Sequence, residues 1–245
     1  MIATITMCSL DFDEAYIDHF LAFYDSQGVD HHFLILHSKS PTDENAYRDY
    51  YSTKKASVYF QYGEWNTKVS EDARHLVIKE SGLTDKDWLI HTDIDEQAES
   101  VGQTLKEKIK KMEANGENCC SGSMIDRVSE DGSLPEIIPQ KPLSEQFPRT
   151  ADIGRSILWC QTKKIPITKA NILVKGGHHE LMPEFKSKAV FNSEILKVNH
   201  YKWTKNVKEK LQERVLTHKQ FFHWKESARF LVFWKRSKTF KSLLK

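Results

Sequence analysis

The sequence predicts an α/β protein: a mostly parallel sheet flanked by helices, followed by a basic helical tail. Three observations predict it. Short, apolar, β-rich segments alternate with amphipathic helical ones over the first hundred residues. A cluster of carboxylates directly follows the fourth apolar segment. Charge is divided between −8 over residues 1–201 and +10 over residues 202–245. The 245 residues, 39% hydrophobic and 29% charged, suffice for one large domain or two small ones. Collagen-like, low-complexity and disordered classes are excluded.

Ile2 to Cys8 reads as the first strand. Asp13 can cap a helix whose apolar positions Ile17, Phe20, Leu21 and Tyr24 recur at helical spacing up to Gly28. His32 to His37 is a second, buried strand, Ala46 to Tyr51 a short helix, and Ala56 to Tyr62 a third strand. Ser70 opens a helix that stops at Gly82, and Asp87 to Asp93 forms the fourth strand. Strands alternating with helices argue for right-handed parallel βαβ units. Val101 to Asn115 is an amphipathic helix, and Cys119 to Val128 a strand. Leu134 to Thr150, with four prolines, is a long irregular segment of the kind that serves as a binding loop. Short strands are expected at Ile172 to Lys175 and Ile195 to Val198, and helix from Thr204 onward. The expected organisation is a domain over 1–203 in two halves, 1–100 and 101–203, with a tail over 204–245.

Four cysteines without C-x-x-C spacing, an unleadered start and no apolar run near the ~20 residues of a membrane span lead to a cytoplasmic expectation.

The stretch Trp88-Leu-Ile-His-Thr-Asp93-Ile-Asp95-Glu96 carries the chemistry. Ligands of parallel α/β sheets bind beyond the carboxyl ends of the strands, where this cluster falls. In an extended segment, Asp93 and Asp95 point the same way and can converge on one cation. Hard oxygen ligands suit Mn²⁺ or Mg²⁺, which would neutralise charge on a departing phosphate. A solvated acidic turn is the alternative. For a nucleotide, the first βα turn with Asp13 and Glu14 and the second strand end with His37 would flank base and ribose. Lys68 and Arg74 could meet diphosphate oxygens, and Trp65 could stack on a ring. His178 and His179, if adjacent on a strand, face opposite ways and make a two-histidine zinc site a poor reading.

The stretch DWLIHTDIDE resembles the D-x-D region of nucleotide-sugar glycosyltransferases of the GT-A fold, in the manner of the family 2-like and family 92-like groups. DEAYIDHFLAFYDSQGVDHHFLIL, GSMIDRVSEDGSL with EQFP, and VNHYKWTKNVKEKLQER extend the resemblance over residues 1 to 215. It departs at Asp13-Glu14, where many relatives have Asn-Glu, and at Gln97, where an aromatic is usual. The resemblance implies a GT-A type sheet, a nucleotide-sugar donor, a saccharide or lipid-linked acceptor and inversion at the anomeric carbon. It implies a downstream acidic base, for which Glu180 and Asp126 are rivals, and a late histidine, His200, completing the metal shell with Asp93 and Asp95.

The tail mixes Phe221, Phe222, Trp224, Phe230, Phe233 and Trp234 with Lys225, Arg229, Lys235, Arg236, Lys238 and Lys241. Residues 219–245 therefore fit either an interfacial helix on an anionic membrane, with the protein peripheral on its inner face, or a helix docked on the body. Nucleic acid is a weaker match. Two other classes stay open. A metal-dependent hydrolase or nuclease would use the same carboxylates, and a non-catalytic lipid- or nucleic-acid-binding module would not need Asp93.

Overall fold

The computed structural model describes residues 1–217 and 223–245. The chain forms two compact units, Met1–Ser123 with Lys163–Val198, and Met124–Thr162 with Asn199–Lys245.

The first unit is built on β1 (Ile2–Ser9), β2 (His31–Ser38), β3 (Ala56–Tyr62) and β4 (Trp88–His91). These pair in parallel, with Ile5 opposite both Phe33 and His91. The helices α1 (Ile17–Ser26), α2 (Glu44–Ser52) and α3 (Thr67–Glu80) connect them. After β4 come β5 (Glu96–Glu99), α4 (Leu105–Ala114) and the strand β6 (Cys119–Val128), whose second half belongs to the other unit. In the sheet, β3-β2-β1-β4 continues through β8 (Lys163–Lys169), β6, β9 (Leu196–His200) and β5. β8 runs antiparallel to both β4 and β6. The predicted mixed α/β class, with a mostly parallel sheet flanked by helices, is what is found.

Burial on both faces goes with the apolar runs of β2 and β4, whereas β3 is half-buried and carries Ser57 and Gln61. Ala3, Ile5, Phe33, Ile35 and Leu89 pack against Val77 of α3, each large side chain contributing roughly 1.5–3 kcal/mol when fully buried. Helix starts are fixed locally. Asn66 accepts from Val69 N at 3.0 Å, Asp43 from Ala46 N at 3.2 Å, and Thr104 and Glu107 form a reciprocal capping box.

Four local expectations are corrected. Asp13 precedes a 3₁₀ turn, Glu14–Tyr16, without a side-chain cap bond, so it does not cap α1. Asn66, not Ser70, opens α3. Ile172 to Lys175 is not a strand and makes only a bridge from Val174 to Leu181; the strand lies earlier, as β8. His178 lies in a 3₁₀ turn, Gly176–His178, so the opposite-faces reasoning does not apply to it.

In the second unit, the end of β6 pairs antiparallel with β7 (Arg149–Ala151), setting Asp126 opposite Ala151. The segment 134–150 contains a short helix, α5 (Leu143–Gln146), and is closed by Gln146, which accepts from Ile138 N at 2.7 Å and donates to its carbonyl at 3.0 Å. A single π-helical turn (Gly154–Leu158) follows, then α6 (Val207–Thr217) and α7 (His223–Ser237). Trp203 stacks on Phe230 with ring centroids 5.2 Å apart, and Phe240 meets it edge-on. Val128, Ile153, Val207 and Leu211 complete this core. Phe230 and Phe240 are fully buried and Phe233 and Trp234 pack against them, so these tail aromatics dock rather than form an open lipid-facing stripe. Lys219, Phe221 and Phe222 lie outside the described residues. Among the described residues, no helix is long and apolar enough to cross a membrane.

Candidate functional site

Because β2 and β3 lie on one side of β1 and β4 on the other, the order of strand addition reverses between β1 and β4. Such a reversal opens a crevice outside the carboxyl ends of the two strands. The Asp93 segment leaves β4 at this point. The backbone is extended only to His91; Asp93 O then accepts from Glu96 N at 3.0 Å, while Glu96 Oε2 accepts from Asp93 N at 3.1 Å. The turn replaces the extended geometry expected to align Asp93 with Asp95, and aims Glu96 back toward Asp93.

Lys164, on β8, fills the space beneath. Its ammonium reaches Glu96 Oε1 at 2.6 Å, Asp93 Oδ2 at 3.2 Å and Gly177 O at 3.0 Å, so all three N–H donors have acceptors. Lys164 and Glu96 are 4% and 1% exposed, and Asp93 keeps 44% of its exposure. Burial works against the lysine's charge, but Glu96 and Asp93 outweigh it and its pKa is raised. Desolvation by the surrounding protein likewise opposes the Asp93 charge. Lys164 foremost, with Arg74 behind it, overcomes it and holds the carboxyl well below its ordinary value.

His178 is unusual in two respects. Its backbone is left-handed, φ 58°, a conformation costing a non-glycine residue about 1–2 kcal/mol. Its ring is fully buried with neither nitrogen hydrogen-bonded among the described residues, and Nδ1 is 3.9 Å from Asp93 Oδ1. Burial, reinforced by Arg74, keeps it neutral. Arg74 is itself 3% exposed with Nη2 unpartnered among the described residues; burial lowers its pKa, and Asp93, Glu71 and Glu96 oppose that. His91 completes the cluster, its ring 6.0 Å from that of His178. Burial and Arg74 push its pKa down to about 3.

The residues fit a divalent cation. Ligand atoms of Asp93, Glu96 and His178 all lie within 4.8 Å of one another. Two carboxylates and a neutral imidazole suit Mn²⁺ or Mg²⁺. Lys164 already holds one oxygen of each carboxylate, leaving Asp93 Oδ1, beside His178, to face a cation.

The other predicted residues are dispersed. Asp95 is 8% exposed in the turn after Asp93. Asp13 is buried at the β1 end, and Glu14 accepts from the Tyr47 hydroxyl at 2.8 Å. His37 donates from Nε2 to Gly63 O at 2.9 Å. Lys68 is exposed on α3 and pairs with Asp72 and Glu71. Glu180 is exposed and pairs with Lys175 at 2.9 Å, which lowers its pKa and weakens it as a base. Lys164, Glu96 and His178 were not singled out as site residues from the sequence.

In the second unit, Asp126 is 5% exposed and takes three donors: His200 Nδ1 at 2.8 Å and Trp203 Nε1 at 2.9 Å on Oδ1, and Gly154 N at 2.8 Å on Oδ2. Burial would raise its pKa, but His200, Trp203 and Gly154 together bring it below the ordinary value. The acceptor-only carboxylate requires the proton on His200 Nδ1, which directs the Nε2 lone pair away from Asp126.

No family model matches the chain, and no curated protein matches it. Among solved structures it is similar to S. aureus TarS 1–349 in complex with UDP (16% identity, TM-score 0.39, covering 97% of this chain and 72% of that one). It is also similar to the longer S. aureus TarS chain (14%, TM-score 0.40, 96% and 43%) and to 4-diphosphocytidyl-2C-methyl-D-erythritol synthase (13%, TM-score 0.39, 69% and 75%). Likeness at this level assigns no residue its role.

Proposed function

We propose that the protein is a metal-dependent glycosyltransferase that moves a sugar from a nucleotide-diphosphate donor to a saccharide or lipid-linked acceptor, with inversion. The observation that carries this reading is Asp93 at the β1/β4 reversal, ionised between Lys164, Arg74 and the unpartnered His178. Asp93, Glu96 and His178 would hold Mn²⁺ or Mg²⁺, with Asp95 beside them; the ion would supply Lewis-acid neutralisation of the departing diphosphate. Arg74 adds a fixed cation behind the carboxylates, with Lys68 at the rim for diphosphate oxygens. Asp13, Glu14 and His37 would bound the base and ribose.

Transfer is a single displacement. The acceptor hydroxyl oxygen bonds to the anomeric carbon as the bond to the diphosphate oxygen breaks, and the hydroxyl proton passes to a base. Asp126, the other expected base, holds His200 within the second unit, and we assign it to orient that ring. Glu180, weakened by Lys175, is the less favoured base. A cytoplasmic enzyme, peripheral on a membrane when its acceptor is lipid-linked, fits this reading.

Calorimetric titration of UDP and GDP, with and without Mn²⁺, into wild type, Asp93→Asn and Asp95→Asn tests it. Mn²⁺-dependent binding of one nucleotide, lost in Asp93→Asn, is expected. Folded wild type that binds neither, or that cleaves a nucleotide sugar at the same rate with every acceptor omitted, would overturn it.

A further inference from the structure

Of the two readings open for the tail, an interfacial helix or a docked one, Phe230 is docked, and Phe240 is a core residue with it. What remains outside is a groove between α6 and α7 lined by Lys208, Gln212, Leu231, Trp234, Lys235 and Lys238. Lys208 stands in the first turn of α6, and Leu231 to Lys238 cover the last part of α7 and the residue beyond it. The helices therefore run antiparallel here, and the groove lies at the ends farthest along the chain from residues 218–222.

Its floor is apolar and its rim cationic. Leu231 and Trp234 are half-buried, whereas Lys208, Lys235 and Lys238 are exposed. Among the described residues no carboxylate pairs with any of the three lysines, although surface lysines elsewhere do pair, as Lys205 does with Glu136 and Lys175 with Glu180. Three uncompensated ammonium groups around an indole and a leucine match an amphiphile with an anionic head. Trp and Lys together are the side chains that sit at the headgroup level of a bilayer. Nucleic acid fits less well, because Trp234 already stacks on Phe230 at 15° between ring planes and offers no ladder of free aromatic faces.

We propose that this groove is a docking site for anionic membrane phospholipid, with Lys208, Lys235 and Lys238 on the phosphate and Leu231 and Trp234 against the upper acyl chain. It is separate from the donor chemistry and needs no turnover to be observed. Each lysine near such a surface is worth roughly fivefold in partitioning, and three together about hundredfold.

The test is co-sedimentation of the full chain with phosphatidylcholine vesicles containing or lacking 30% phosphatidylglycerol, at low and high salt. Salt-sensitive binding to the anionic vesicles only is expected. It should fall about hundredfold in Lys208→Ala/Lys235→Ala/Lys238→Ala, and also in Leu231→Asn, with unchanged circular dichroism and melting in the triple variant. An otherwise matched Lys79→Ala/Lys110→Ala/Lys197→Ala variant, with the same charge removed outside the tail, should still bind. Equal losses in both triple variants would mean a general charge effect and overturn the site, as would wild-type binding to neither vesicle or binding to oligonucleotide in place of lipid.

Discussion

His200 Nδ1 lies 2.8 Å from Asp126 Oδ1, and the same oxygen takes the Trp203 indole N–H at 2.9 Å. One carboxylate thereby sets the orientation of two rings, while its other oxygen anchors the π-helical turn through Gly154 N. Three of the carboxylate's acceptor sites are thus taken within the second unit.

Asp126→Asn keeps the shape but can place only one oxygen among three donors. It should cost about 1–3 kcal/mol in denaturant unfolding, because a buried N–H then faces another. Nitrogen NMR of His200 should show the Nδ1–H tautomer in the wild type and a mixture in the variant. An unchanged tautomer would remove Asp126 from the orienting role.

Lys164 offers a second test, of the first unit. Lys164→Met leaves Glu96, 1% exposed, without its cation, and breaking a buried pair from one side costs about 3–5 kcal/mol. Adding Glu96→Gln should recover a large part of that loss, since the uncompensated charge goes with it. Thermal or urea unfolding of the wild type and these two variants measures this; no recovery in the double variant would show that the lysine acts by packing alone.

How far the sequence discloses this site depends on continuity along the chain. Asp93 was legible because the apolar run Trp88-Leu-Ile carries the chain to the carboxyl end of β4 just before it, and the four parallel strands were legible for the same reason. Lys164 was not, because Pro166 and the flanking lysines of Lys163–Lys169 hide a strand in which Ile165 and Ile167 alternate with Lys164 and Thr168. That alternation is the signal that could have found it. His178 was misread as a strand residue because the β-branched Ile172 and Val174 precede it, although the Gly176-Gly177 pair between them is a turn signal. Phe230 fitted a lipid-facing set as well as a docked one, since only the packed unit reveals Trp203 against it. The interleaving of 124–162 with 199–245 in one unit is likewise a long-range fact.

The pH dependence of stability can be anticipated at His32, in the sheet away from these carboxylates. His32 is fully buried opposite Thr4, with Nδ1 2.8 Å from the threonine hydroxyl. Burial lowers its pKa, and Asp25 only partly offsets this. The unfolded chain therefore binds a proton that the folded chain refuses. This contribution to stability is present above the ordinary histidine value of about 6.5 and is lost as pH falls from there toward the depressed folded value. The slope from this residue approaches about 1.4 kcal/mol per pH unit within that window. Urea unfolding at pH 7.5 and 5.5 should show a smaller drop for His32→Phe than for wild type, whatever its absolute stability; equal drops would contradict the assignment.

Gly176 joins local geometry to the proposed cation site. A Cβ there would stand 2.4 Å from Thr67 Cγ2 and 3.1 Å from the Thr67 carbonyl at the start of α3. The Gly176 amide donates to Glu71 Oε2 at 2.7 Å, so the loop cannot retreat without losing that bond. Gly176→Ala should cost about 1–3 kcal/mol by overpacking. It should also displace the following two residues, Gly177, whose carbonyl holds Lys164, and His178. Misplacing such groups by an ångström is enough to weaken Mn²⁺-dependent nucleotide binding by about tenfold or more. Gly28→Ala provides the matched control: its backbone is left-handed at φ 82° and its Cβ would meet Lys106 Cβ at 2.8 Å, a comparable stability loss that leaves the Gly176–His178 turn in place. If both variants lose stability equally but only Gly176→Ala loses binding, the turn positions the ligand set. If both lose binding in proportion to stability, His178 has no special part in it.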